Sequence, residues 1–417
     1  MDIEERLSLE DVANLLGKSK ETIRRWDNSG KLLAFREPMS NYRYYKRNQL
    51  DIFDEVKTMN IESDEPQINV IPKNEYTVLE LFAGAGGLAI GLEQAGLKCI
   101  ALNEIDRNAA ETLRRNRPHW NVLEGDIRNM CFISLKHKVD VVTGGFPCQS
   151  FSYAGKRFGF QDARGTLFYE FARSVQETQP KICIGENVKG SLNHDSGRTL
   201  KTMIAILDEI GYRVVDPKIL KAIYYNVPQK RERLILVGIR KDIDIDFMYP
   251  NPNKKVYNLA DALKRSELFD KDVPDSLGTK YPLSKKKVLD LVPPGGYWRD
   301  LPLEIQKEYM QKSFFLGGGK TGMARRISWD EPSLTLTCSP AQKQTERCHP
   351  DETRPFTIRE YARIQTFPDD WKFAGSVSAQ YKQIGNAVPV NLASAIGKSI
   401  VEFLNEVYQD KSQLISA

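Results

Sequence analysis

Thr77-Val78-Leu79-Glu80-Leu81-Phe82-Ala83-Gly84-Ala85-Gly86-Gly87 leads directly into Leu88-Ala89-Ile90-Gly91-Leu92. The first six residues have a buried-strand pattern, the glycines make a tight turn, and residues 88–95 read as a helix. Strand, glycine turn and helix form the opening unit of an open α/β sheet, and the turn lets backbone approach a nucleotide-like ligand. Turns of this kind are common, so the neighbours decide. The next apolar run, Cys99-Ile100-Ala101-Leu102, ends at Glu104, twenty positions after Gly84, where an acid can take both ribose hydroxyls. A third run, Asn121-Val122-Leu123, delivers Asp126, which can accept from an adenine amine. Three sites at successive strand ends favour an adenosine cofactor. The FAGAGG turn lacks the full GxGxxG pattern and its pyrophosphate site, so adenosine without phosphate, as in S-adenosylmethionine, fits better than a dinucleotide.

Farther along, the apolar run Val139-Asp140-Val141-Val142-Thr143 precedes Gly144-Gly145-Phe146-Pro147-Cys148-Gln149-Ser150-Phe151-Ser152. Cys148 therefore sits on the loop leaving a strand's carboxyl end, with Pro147 stiffening the turn. An isolated cysteine is more often a small buried hydrophobe than a nucleophile. The six cysteines form no CxxC pair, and the only histidine near any of them is His349, which argues against a zinc site or a disulfide framework. No metal is expected.

With 417 residues, 41% hydrophobic and 10% aromatic, the chain can bury a large core in two to four domains. No signal peptide, transit peptide or spanning apolar run is evident, so a soluble, cytoplasmic protein with no membrane partner is expected. The net charge of +5 permits a polyanionic partner without requiring one.

Residues 1–57 read as a separate unit. Leu9, Val12, Ala13, Leu15 and Leu16 form an apolar face, Gly17-Lys18 makes a turn, and Ser19 caps a second helix carrying Arg24 and Arg25. Between Lys18 and Arg47 there are nine Lys or Arg against three acids. This spacing resembles the helix-turn-helix of the MerR and excisionase type, which implies DNA contact through the basic second helix, although such units also serve as protein-protein modules. Residues 58–75 read as a polar linker.

FAGAGG, Glu104, Gly125-Asp126, GGFPCQSFS, Glu186-Asn187-Val188, Gln229-Lys230-Arg231-Glu232-Arg233 and Gln383-Ile384-Gly385-Asn386-Ala387-Val388-Pro389-Val390 occur in the order characteristic of DNA (cytosine-5) methyltransferases, and the chain resembles that family over residues 76–243 and 355–400. The resemblance implies a Rossmann-like S-adenosylmethionine-dependent fold of the α/β class. Its expected units are a catalytic domain at 76–243, a small irregular target-recognition domain at 244–355, a support block with a returning helix at 356–410 and a tail at 411–417. It implies a cofactor site of Phe82, Gly84, Ala85, Gly87, Glu104, Ile105, Asp126, Ile127, Pro147, Asn386 and Ala387.

The same resemblance makes Cys148 the nucleophile and Glu186 the acid at ring nitrogen 3 of the base. Arg231 lies near the base carbonyl, Arg233 holds the acid and the cysteine loop, and Asn187 supports that loop. Arg231 and Arg233 are two apart on a strand, so both can reach one pocket. Base flipping follows from the chemistry, because carbon 6 is hidden in the stack. Residues 153–165, with Lys156, Arg157 and Arg164, read as a lid that touches phosphate. Arg325, Arg326, Gln342, Lys343 and Gln344 are base readers by side-chain type.

Two departures from the family pattern are Glu80, where an aspartate is usual, and Ile105, where many relatives have tryptophan. The expected activity is sequence-specific methylation of double-stranded DNA in a restriction-modification system. An RNA cytosine-5 methyltransferase and a DNA-binding transcriptional regulator are the alternatives. Residues 5–55 suggest autoregulation at the enzyme's own promoter. A monomer is expected, with dimerisation open through the N-terminal unit.

Overall fold

The computed structural model describes residues 6–18, 20–53, 56, 70–147, 166–190, 197–317 and 320–416. In the N-terminal unit, strands β1 (Arg6–Ser8), β2 (Phe35–Arg36) and β3 (Arg43–Lys46) pair antiparallel in the order β1-β3-β2. Helices Leu9–Leu15 and Lys20–Asn28 pack on them around Val12, Leu16, Ile23, Tyr45 and Leu50.

The catalytic sheet contains β4 (Thr77–Leu81), β5 (Lys98–Glu104), β6 (Val122–Glu124), β7 (Val141–Gly144), β8 (Ile182–Val188), β9 (Tyr212–Lys221) and β11 (Glu232–Arg240). Their order is β6-β5-β4-β7-β8-β11-β9, and only β11 runs against its neighbours. The chain first builds outward from β4 to β6 and then returns to the other side of β4. That reversal opens a crevice at the carboxyl ends of β4 and β7, the place where open α/β sheets bind ligands.

Period-two alternation feeds two cores, one on each face of the sheet. Val78, Val141, Ile184, Ile235 and Val237 join one cluster, with helices Gly87–Gln94 and Val390–Ser416. Leu79, Leu81, Val142, Cys183 and Leu236 join the other, with helices Leu167–Thr178 and Arg198–Glu209. The stretch Val377–Asp410 has the length and hydropathy of a spanning helix, but 72% of its apolar window is buried inside this protein.

Residues 244–355 contribute to two clusters. Phe247, Leu259, Leu263, Ile327 and Leu336 belong to the main core, whereas Tyr281, Leu289, Trp298, Met310, Met323 and Cys348 form a smaller one. A short parallel pairing of β10 (Gln229–Lys230) with β12 (Ser333–Leu334) ties this region to the sheet just before Arg231.

Candidate active site

A cavity of about 700 Å³ opens at the carboxyl ends of β4, β5, β7 and β8. One end is lined by Phe82, Gly84, Gly87, Glu104, Ile105, Asp126 and Ile127. Phe82 adopts a left-handed backbone (φ 57°), a sparsely populated region for a bulky residue, and starts the turn. Gly87 lies so close to the C-terminal block that a Cβ would sit 2.2 Å from the Val388 carbonyl oxygen.

Glu104 is 7% exposed. Its carboxylate accepts from the Gly84 and Asp106 amides, each at 2.7 Å, so the acid and the glycine turn are fixed to one another. Burial raises its carboxyl above the ordinary value, against the opposing pull of those backbone bonds. Glu80 lies at the floor of the cavity, 1% exposed, with its Oε2 unpartnered. Burial, and then the Glu104 charge, push the Glu80 carboxyl well above the usual carboxylate range. Asp126 accepts from the Arg128 amide at 3.0 Å. Ala85 is the exception in the expected cofactor set: it is 1% exposed, does not line the cavity, and its carbonyl accepts from Trp371 Nε1 at 3.1 Å. Its role is to anchor the turn to the C-terminal block.

The other end of the cavity is lined by Gly145, Phe146, Pro147, Glu186, Asn187, Arg231 and Arg233. Antiparallel register sets Ile235 opposite Glu186, so Arg233, two residues earlier, shares the face of the acid. Arg233 Nε lies 2.5 Å from Glu186 Oε1, and both side chains are largely buried. A Cβ on Gly145 would meet Glu186 Oε2 at 3.0 Å, so glycine lets the loop pass over the carboxylate. Asn187, on the opposite strand face, donates to the Phe146 carbonyl at 3.1 Å and holds the loop two residues before Cys148.

Arg231 is 2% exposed and donates to the Leu336 and Gly385 carbonyls at 3.2 and 2.9 Å, while its Nε has no hydrogen-bond partner. Burial, and then the Arg233 charge, pull its guanidinium down to about 9. Asn386 and Ala387 close the cavity, and Asn386 Oδ1 accepts from Cys338 Sγ at 2.9 Å. Thr335, Leu336, Thr337 and Cys338 also line it. No motif in the sequence singles them out, because they arrive through the β10-β12 pairing. Cys148 itself, and the lid residues Lys156, Arg157 and Arg164, lie outside the described residues.

The expected DNA readers divide. Arg24, Arg25, Gln342 and Gln344 are exposed. Lys343 donates to the Tyr309 carbonyl and lies 4.5 Å over its ring. Arg325 binds the Gly295 carbonyl at 2.7 Å and Glu331. Arg326 needs correction: it is 4% exposed, and it donates to the carbonyls of Val292, His349, Pro350 and Leu289 and to the Thr353 hydroxyl. Its five N–H donors are all satisfied, so it ties the small domain together and has none left for a base edge. Among the described residues, no three His, Cys, Asp or Glu side chains gather into a metal-holding group.

The reversed sheet, the glycine turn locked to Glu104 and the shared cavity define a Rossmann-like S-adenosylmethionine-dependent methyltransferase. The family model for C-5 cytosine-specific DNA methylases matches residues 76–402, and the chain belongs to that family. It is an enzyme that transfers a methyl group from S-adenosylmethionine to carbon 5 of cytosine in DNA. A second model, MerR HTH family regulatory protein, matches residues 7–60.

The chain is 61% identical to Type II methyltransferase M.Eco47II of Escherichia coli over 97% of both chains. It is 57% identical to M.PspPI of Psychrobacter over 96% of both. Staphylococcus aureus M.Sau96I is 56% identical over 81% of this chain and 78% of its own. Among solved structures, Spodoptera frugiperda DNMT2 shares the fold, with a TM-score of 0.55 at 17% identity over 80% of this chain and all of that one.

Proposed function

We propose that this chain is the modification enzyme of a Type II restriction-modification system, acting in the cytoplasm as a monomer on one recurring sequence in double-stranded DNA. The observation that carries the reading is the Arg233–Glu186 ion pair at 2.5 Å, facing the same cavity as Gly84 and Glu104. An acid that reaches the base and a turn that holds adenosine then share one space. The names of the relatives at 56–61% identity support the restriction-modification setting.

Carbon 5 of cytosine is a poor nucleophile while its electrons are held in conjugation. The Cys148 thiolate adds to carbon 6, forming a C–S bond, and the displaced π electrons make carbon 5 nucleophilic. S-adenosylmethionine, when bound, supplies an electrophilic methyl group on sulfur. Glu186 meets the charge that develops at ring nitrogen 3, oriented there by Arg233. After transfer, loss of the carbon 5 proton re-forms the double bond and expels the Cys148 thiolate. Asn187 fixes the Phe146–Pro147 backbone that carries the nucleophile, and Arg231 braces Leu336 and Gly385 at the cavity wall. Glu104, Asp126, Phe82, Ile105, Ile127 and Asn386 hold the cofactor. The buried Glu104 and the half-buried Asp126 at its adenosine end suit hydroxyl and amine donors. The N-terminal unit binds DNA, including the enzyme's own promoter.

A duplex with fluorine in place of the carbon 5 hydrogen tests the covalent step, because fluorine cannot leave as a proton does. The wild-type protein becomes covalently attached to this duplex in the presence of cofactor, and Cys148→Ala does not. Attachment by the alanine variant refutes the assignment of the nucleophile.

A further inference from the structure

The N-terminal unit is seated on the catalytic domain beside the strand that enters the active site. The turn between its two helices rests on residues 221–224: a Cβ at Gly17 would lie 2.8 Å from Ile223 Cδ1, and the Tyr224 hydroxyl donates to the Leu15 carbonyl at 2.6 Å. Leu15 packs against the main core. Gly17, at φ +62°, supplies both the left-handed turn and the room for this close approach.

Lys20 opens the second helix and pairs with Glu10 at 3.0 Å. These two, with Arg325 and Glu331 of the recognition region, are among the charges whose field acts on Lys230. Lys230 pairs with Leu334 of β12, and the next residue, Arg231, lines the catalytic cavity. One short strand therefore joins the start of the helix-turn-helix second helix, the recognition segment and the methylation site.

The charge of the unit suits a phosphate backbone. Its nine cations exceed its three acids over residues 18–47. Asp27 is already neutralised by Arg36 at 3.2 Å and Arg43 at 2.9 Å, and Glu37 by Arg6 at 2.9 Å. Arg24, paired with Glu21 at 3.6 Å, and Arg25 remain exposed midway along the second helix, the element that meets DNA in such units.

We propose that the docked N-terminal unit lies on the track of the substrate duplex, so that the DNA molecule whose cytosine is in the cavity is also held by Arg24 and Arg25. The inference rests on reading the unit as a DNA-binding module. Docking turns that module into an extension of the methylation cleft, lengthening the footprint on one duplex.

Methylation kinetics on two duplexes carrying the same target test it: one of about 15 bp, little more than a turn and a half at ~10 bp per helical turn, and one of about 40 bp that extends well past the target on both sides. For the wild-type enzyme KM is several-fold lower on the long duplex, and the ratio of the two KM values falls to near one in Arg24→Ala/Arg25→Ala. On the long duplex, the slope of log KM against log salt becomes shallower by about 2 in the double variant, close to one unit per lost phosphate contact. Equal KM values for both duplexes in the wild type overturn the proposal. A gel shift on the region upstream of the gene, lacking the methylation target, separates the two failures. If the double variant loses this binding while its KM ratio matches the wild type, the unit grips a separate duplex. If neither quantity changes, the unit does not bind DNA and the underlying reading fails as well.

Discussion

Replacing Arg326 by methionine keeps the length of the buried stem and removes the guanidinium. Five hydrogen bonds are lost, and the carbonyls of Leu289, Val292, His349 and Pro350 lose this donor inside the small domain. A buried acceptor without a partner costs about 1–3 kcal/mol. The Leu289 carbonyl still accepts from the Val292 amide at 3.1 Å, so three carbonyls are left without a donor, about 3 kcal/mol even when each is taken at the lower end. At roughly 2 °C or more per kcal/mol, the transition that includes the Tyr281–Cys348 cluster falls by at least about 6 °C. Differential scanning calorimetry of the wild-type chain and Arg326→Met measures the shift. Sequencing of the methylated sites at a permissive temperature reports any change of target, and none is expected. An unchanged transition together with an altered target sequence would refute the reasoning and restore Arg326 as a base reader.

Arg233→Ala removes a charged hydrogen bond to Glu186 between two largely buried side chains. At about 1.5–3 kcal/mol, kcat falls roughly 10–150-fold in a tritiated-methyl assay, while cofactor KM changes little. For Glu80 the folded-state value is raised by burial, so its contribution to stability is fully present below the ordinary carboxylate value near 4.5 and is lost as pH rises towards the folded value. Thermal melts of Glu80→Gln and wild type therefore converge near pH 4.5, and the variant becomes relatively more stable towards pH 8. A constant difference across that range would count against a neutral Glu80. Gly87→Ala sets a methyl group against the Val388 carbonyl oxygen, which as backbone cannot simply rotate away. The resulting shift of the turn costs about 1–3 kcal/mol and raises the cofactor Kd, read by isothermal titration.

The chemistry-bearing strand ends were legible because their signals are local. A strand followed by a glycine turn places Gly84, and the period of two puts Arg231 and Arg233 on one face; that this is also the face of Glu186 follows only from the antiparallel register. Burial within the irregular region was not legible. Arg326 and Gln342 look equally suited to a base edge by side-chain type, yet one is sealed among carbonyls and the other is exposed. Their difference depends on packing between segments distant in sequence. The same holds for Thr335–Cys338, which reach the cavity through a two-residue pairing with β10. Ala85 shows the limit within a motif: the turn places it next to Gly84, but Trp371 of the C-terminal block draws its carbonyl into the core.

The most direct test of the central claim is bisulfite sequencing of plasmid DNA from cells expressing the wild-type chain or Cys148→Ala. The account predicts cytosines protected at one recurring sequence in the wild-type sample and converted throughout in the variant. Equal protection in both samples would contradict the role of Cys148, and no protected cytosine in either, with folded protein present, would contradict the methylation of DNA itself.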